Sequence, residues 1–225
     1  MRRIRISVIA GLIAVVAATA FGAPASARDW SSSFPSGADV MPALGQYSPA
    51  PGIDAGPAPT GGWYPCSAFT APSAKTVVIA SYASTSKTEK TLEVRSYVYA
   101  SNAKAKQAFS VIQKKLSTCD GRQELTSSDS GPNTMRKTTT TGTVPEIEVT
   151  GVTALYIYGR AVPISGVGKP ARDSAGSYSV IVLVGDTIMM TNAGQVGKPG
   201  YTADQKAAVI EFASAAETSW TDAGN

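Results

Sequence analysis

The chain has 225 residues, enough for one domain with a core of its own. It carries 20 basic and 16 acidic residues, a formal balance of +4, and no histidine. Without imidazole there is no His-based zinc site and no Ser-His or Cys-His nucleophile pair.

The N-terminus reads as an export signal. Met1-Arg2-Arg3-Ile4-Arg5 leads into an apolar run over residues 6–21, and Ala25-Ser26-Ala27 follows as a small-x-small cleavage site. The run is Ala- and Gly-rich and short for a membrane span. Residues 1–27 are therefore expected to be removed, leaving a secreted chain that starts at Arg28 or Asp29 and is not stably inserted in a membrane. Arg2, Arg3 and Arg5 leave with the signal, so 20 basic residues become 17 against 16 acidic ones, a balance of +1. That net charge gives no electrostatic case for nucleic acid or an anionic membrane as a partner.

Residues 28–62 are rich in Pro, Gly and Ser, and Pro35, Pro42, Pro49, Pro51, Pro57 and Pro59 deny the segment long helices or central strands. It reads as an extended, mobile arm with one docked turn over residues 38–45. The folded domain is expected over residues 63–225. Residues 76–82 form a β-branched strand. Leu92, Val94 and Val98 alternate with Glu93, Arg95, Tyr97 and Tyr99, which marks a second strand paired with the first.

A helix follows, capped by Ser101, with Ala105, Ala108, Phe109, Ile112 and Leu116 on its apolar stripe and Gly121 as its stop. Strands are predicted over residues 134–141, 147–150 and 154–160. Strands over 178–184 and 187–191 are joined by Gly185-Asp186 as a type II′ turn. Residues 167–176 read as an exposed loop. A last helix over residues 203–220 begins at a Thr202-x-x-Gln205 capping box.

The order predicts an α+β domain: an antiparallel sheet with two main helices packed on one face. Cys66 and Cys119, the only cysteines of an exported chain, read as one disulfide pinning helix to sheet. The rival reading, a reactive thiol, lacks a base to make thiolate.

Motifs for chemistry are weak. There is no G-x-S-x-G elbow, no P-loop and no G-x-G-x-x-G after a strand. Glu146 and Glu148 share a strand face and would be the acid and base of a carboxylate hydrolase or bind a cation. The plainer reading is a solvated face, since no second acid cluster lies nearby in sequence. Ser84-Thr85-Ser86-Lys87 matches S-x-x-K but lies in a polar hairpin loop without S-D-N or K-T-G partners. Neither a metal nor a cofactor is expected.

Binding chemistry is better represented. Arg95, Tyr97 and Tyr99 share one face of a strand; Tyr156, Tyr158 and Arg160 share one face of another. If both helices cover the opposite side, these six line an open concave sheet surface suited to an unknown small-molecule or cell-envelope ligand. The plainer reading is that tyrosine is a good strand former packed against loops.

Four pieces together resemble the PknH-like extracellular sensor domain family of actinobacterial exported and envelope proteins. They are Gly37-Ala38-Asp39-Val40-Met41-Pro42-Ala43-Leu44-Gly45, then Cys66-Ser67-Ala68-Phe69, then the strand-helix unit from Val94 through Ala108 to Cys119. The last is residues 180–186 with the Ala-rich final helix. The resemblance covers most of the chain after the signal and is one of spacing, without a catalytic signature. It implies an antiparallel sheet with helices on one side and a cleft on the other, a Cys66–Cys119 bridge, and a ligand-binding or sensing role outside the cytoplasm. Leu116 stands where members often carry Trp, and the second cysteine pair of kinase-linked members is absent, so a freestanding relative is implied. The expected function is a secreted, non-catalytic, sensor-like binding domain. The alternatives are an envelope hydrolase acting through carboxylates or a Ser-Lys pair, and an adhesion or structural envelope protein using its Pro-rich arm.

Overall fold

The structure, a computed structural model, describes residues 30–39, 42–58, 74–85, 90–119, 121–126, 134–165, 174–198 and 200–225. The expected signal peptide, Cys66, the 86–89 loop with Lys87, and residues 166–173 lie outside the described residues.

Two strands predicted from β-branched and alternating residues are present: β2 over Thr76–Tyr82 and β3 over Lys90–Val98. They follow an edge strand, β1, over Gly52–Pro57. Helix α1 spans Asn102–Leu116, and the Ser101 hydroxyl accepts from the Lys104 N–H at 3.4 Å, satisfying one of its free donors. Then come β4 (Gly121–Thr126), β5 (Thr134–Val149), β6 (Val152–Ser165), β7 (Ala175–Val184) and β8 (Thr187–Val196). Helix α2 spans Ala203–Asp222 behind the predicted capping box: Thr202 Oγ1 accepts from the Gln205 N–H, and Gln205 Oε1 accepts from the Thr202 N–H at 3.0 Å.

The eight strands form one antiparallel sheet in the order β1-β2-β3-β8-β7-β6-β5-β4. At the β7–β8 turn Val184 pairs Thr187, Gly185 adopts φ +56°, and Asp186 stays out of the left-handed region, as a type II′ turn requires. The β5–β6 turn has positive φ at both Thr150 (50°) and Gly151, the type I′ pattern. The two short pieces predicted over residues 134–150 are one long strand that bends at a register shift between Val144 and Glu148.

Register assigns the faces. Leu92, Val94, Met189, Val180 and Val182 point to one side and pack with Val209, Phe212, Ala216 and Trp220 of α2. Tyr97, Ile188, Ile181, Leu183 and Leu155 point to the other and pack with Ala105, Phe109, Ile112 and Leu116 of α1. The helices therefore lie on opposite faces, correcting the expectation that both pack on one. The physical reason is written in β7, where Val180-Ile181-Val182-Leu183-Val184 is apolar without alternation and buried throughout. A strand of that kind needs a cover on both sides.

The segment expected to be a mobile arm is packed into the domain wherever it is described. Trp30 stacks on Trp220 with ring centroids 5.4 Å apart, and Phe34, Leu44 and Tyr47 are buried beside α2. The Tyr82 hydroxyl donates to the Pro35 carbonyl at 2.9 Å, and Lys90 Nζ donates to the Leu44 carbonyl at 2.9 Å. Burying four large apolar side chains outweighs the entropy of fixing the chain between prolines.

Candidate functional site

The α1 face of the sheet is covered at one end only. Under α1 the in-register residues are apolar: Ile188 beside Tyr97 and Leu183, and Met190 beside Ile181. Toward the other end most side chains on the same face become polar or small, the buried Ile157 excepted. Glu93, Asn192, Ser179, Ile157 and Thr141 form one lateral row across β3, β8, β7, β6 and β5. Thr91, Gly194, Ser177, Gly159 and Thr139 form the next.

Several polar groups of the first row are held by hydrogen bonds. Ser179 Oγ donates to Asn192 Oδ1 at 2.8 Å. Arg95 donates Nε to Glu93 Oε1 and Nη2 to Oε2, the latter at 3.2 Å, so the guanidinium grips the carboxylate with two bonds. Arg95 also lies within hydrogen-bonding reach of the Tyr97 hydroxyl. The Glu93 hydrogen bond raises the Arg95 pKa most, and burial opposes it. Burial in turn pushes the Tyr97 hydroxyl up, against the lowering effect of Arg95. The Arg95 side chain is 39% exposed and Glu93 21%, so both remain reachable from solvent.

Gly194 lies in the middle of the second row because a Cβ there would sit 2.5 Å from Thr91 Oγ1. Glycine at such a point lets another group approach the backbone. The row opens into a hollow of about 490 Å³ at the sheet end, lined by Thr91, Gly176, Gly194, Gln195 and Val196 among others. Thr91 and Gly194 of the second row line it directly, with Lys90, Ala175, Gln195 and Val196, while Glu93, Arg95, Ser179 and Asn192 lie farther along the same face.

The six sequence-predicted residues do not share one surface. Arg95, Tyr97 and Tyr99 are on the α1 face, while Tyr156, Tyr158 and Arg160 are on the α2 face. Tyr156 pairs with Val180 and Tyr158 with Tyr178, one residue out of step with Leu155 and Ile157 on the α1 side. In the first group only Arg95 is open. Tyr97 and Tyr99 are buried against α1, and the Tyr99 hydroxyl has no hydrogen-bond partner among the described residues. Burial pushes its pKa up to about 12.

In the second group Tyr156 and Tyr158 are half-buried in a tyrosine stack at the start of α2. Tyr156 lies parallel to Tyr178 at 5.6 Å, Tyr158 meets Tyr201 edge-on at 6.2 Å, and Lys206 Nζ sits 4.7 Å over the Tyr158 ring. Arg160 is exposed at the rim. The tyrosines join the start of α2 to the interior strand β6.

Sequence reasoning missed Glu93, Ser177, Ser179, Asn192 and Gly194 as site residues. A signal was present. Ser177 and Ser179 alternate with Gly176, Tyr178 and Val180, and Asn192 and Gly194 alternate with Thr191 and Ala193. Period-two alternation appears in β7 and β8 only where α1 no longer covers them.

The other candidates are placed plainly. Glu146 and Glu148 are both exposed beside the register shift of β5. Ser84 forms an isolated bridge with Tyr47. Cys119 ends the turn after α1, and no cysteine among the described residues is free. No group of three or more metal-ligating side chains occurs among the described residues, nor does any helix there have the length and apolarity to cross a membrane.

No family model matches the chain, and no curated protein matches it. One similar solved structure is the extracellular domain of PknH from Mycobacterium tuberculosis. It aligns over 74% of this chain and 85% of its own with 10% sequence identity and a TM-score of 0.46, a likeness of fold at most.

Proposed function

We propose that this chain is an exported, non-catalytic binding domain that takes a hydroxyl-rich ligand of the cell envelope on the uncovered half of its α1 face. The observation that supports it most is the pair of in-register, mostly polar rows at the end of the sheet face that α1 leaves uncovered. Polar groups at the centre of a sheet cost stability unless they are satisfied or used. Here Ser179 bonds Asn192 and Arg95 grips Glu93, and the Arg95–Glu93 pair stays part-exposed to solvent.

Three further parts of the proposal rest on the sequence. Residues 1–27 act as a cleaved signal. Cys66 and Cys119 form one disulfide, tying the segment before β2 to the end of α1. The chain is a relative of PknH-like sensor domains, and its ligand-binding role is the one that resemblance implies.

Calorimetric titration of the mature protein with soluble muropeptide and arabinogalactan fragments tests the site. Arg95→Ala and Asn192→Ala are expected to weaken binding of the recognised fragment about tenfold or more, with melting little changed. Arg160→Ala, on the opposite face, is expected to bind like wild type. Loss of binding in Arg160→Ala with retention in the other two would place the ligand on the wrong side of the sheet for this proposal.

A further inference from the structure

The charges of the two helices are segregated. Lys104, Lys106, Lys114 and Lys115 are the only charged residues of α1, all exposed. Helix α2 holds Asp204, Glu211, Glu217 and Asp222 against Lys206 alone. Because the helices cover opposite faces, a basic helix covers one face of the sheet and an acidic helix the other.

None of the four α1 lysines has an ion-pair partner among the described residues, where Arg95 and Glu93 make the one pair. At about 100° per residue, Lys114 faces outward, Lys104 and Lys115 lie on one flank and Lys106 on the other. The charges therefore spread around the outer arc of a helix about 22 Å long and do not converge on a pocket. They are all lysine, a hydrated point charge without the fork that grips a single phosphate. Val111, one of two large exposed hydrophobic residues among those described, lies on the same arc.

A diffuse, convex basic face with an apolar contact point suits an extended, diffuse anionic partner. We propose that α1 is a peripheral docking face for an anionic lipid bilayer, holding the domain at the membrane surface without inserting it. Docked this way, the polar floor becomes a recess beside the helix that opens toward the same surface. The docking does not depend on what the floor binds.

The test is co-sedimentation of the mature protein with sucrose-loaded vesicles of phosphatidylcholine alone or mixed with phosphatidylglycerol. At about 0.05 M salt the protein is expected to partition onto the anionic vesicles only, and to be released at about 0.5 M. Replacing all four lysines (Lys104→Gln, Lys106→Gln, Lys114→Gln and Lys115→Gln) is expected to cut the partition about tenfold or more. Melting and the fragment titration above should not change, so failure of one proposal leaves the other standing. Glu211→Gln with Asp222→Asn on α2 should leave vesicle binding as it was. Equal binding by the four-lysine variant, or binding to soluble polyphosphate with no partition onto vesicles, would overturn membrane docking.

Discussion

Burial dominates the acid–base behaviour of Tyr47, Tyr82, Tyr99, Tyr178 and Tyr201. Tyr47, Tyr99 and Tyr178 hold their protons up to about 12, with removal from water the largest cause in each. Nearby charge adds to it at Tyr178 through Tyr156 and Glu146. Tyr82 and Tyr201 are pushed up further by the same cause. In an unfolded chain these groups ionise near 10. Their folded values are raised, so the stabilisation is fully present below pH 10 and is lost as pH rises through the folded values. Urea unfolding is therefore expected to show stability declining from pH 10 upward. Tyrosinate absorbance should show part of the chain's nine tyrosines ionising late, together with unfolding. Ionisation of all nine near pH 10 with the fold intact would contradict this packing.

At the scale of elements, the two helices are independent covers of a shared wall. Phe109 fills the α1 side and Phe212 the α2 side, where it meets Tyr82 edge-on at 5.2 Å. Phe109→Leu and Phe212→Leu are each expected to cost about 1–2 kcal/mol. In the double variant the costs should add to within about 0.5 kcal/mol, since the sites share no partners. Coupling well above that in chemical denaturation would mean that the helices touch a common cluster.

The elements differ in how openly the sequence declared them. Strands β2 and β3, the Gly185-Asp186 turn and both helix caps were legible because their signals are local: β-branched runs, alternation, and a capping residue at fixed spacing. β1 was hidden because Gly-Ile-Asp-Ala-Gly-Pro has little strand propensity and is held by pairing with β2. β4 was hidden behind the reading of Gly121 as a helix stop, although Gly121 pairs Thr139 in the sheet.

The parity within each predicted triplet was legible too. What joined the triplets wrongly was inter-strand register, which only the assembled sheet sets. Through β8, β7 and β6, Arg95 lines up with Met190, Ile181 and Leu155, and a single step puts Tyr156 behind the sheet. The continuous apolar run over residues 180–184 already called for two covering layers, and hence for one helix per face.

As a whole molecule, the domain is a sheet with unlike sides. Helix α2 and the N-terminal segment build one core on the first side, closed by the Trp30–Trp220 stack. Helix α1 covers part of the second side and leaves the polar rows half-open. The proposed ligand binding is a property of the unfinished layer. The most direct measurement is an amide chemical-shift map of the isotopically labelled mature protein, titrated with muropeptide and arabinogalactan fragments. The predicted result is a contiguous set of perturbed amides at Thr91, Glu93, Arg95, Ser177, Ser179, Asn192 and Gly194, with Tyr156, Tyr158 and Arg160 unmoved. Perturbations gathered at those last three, or no perturbation by either fragment at saturating concentration, would contradict it.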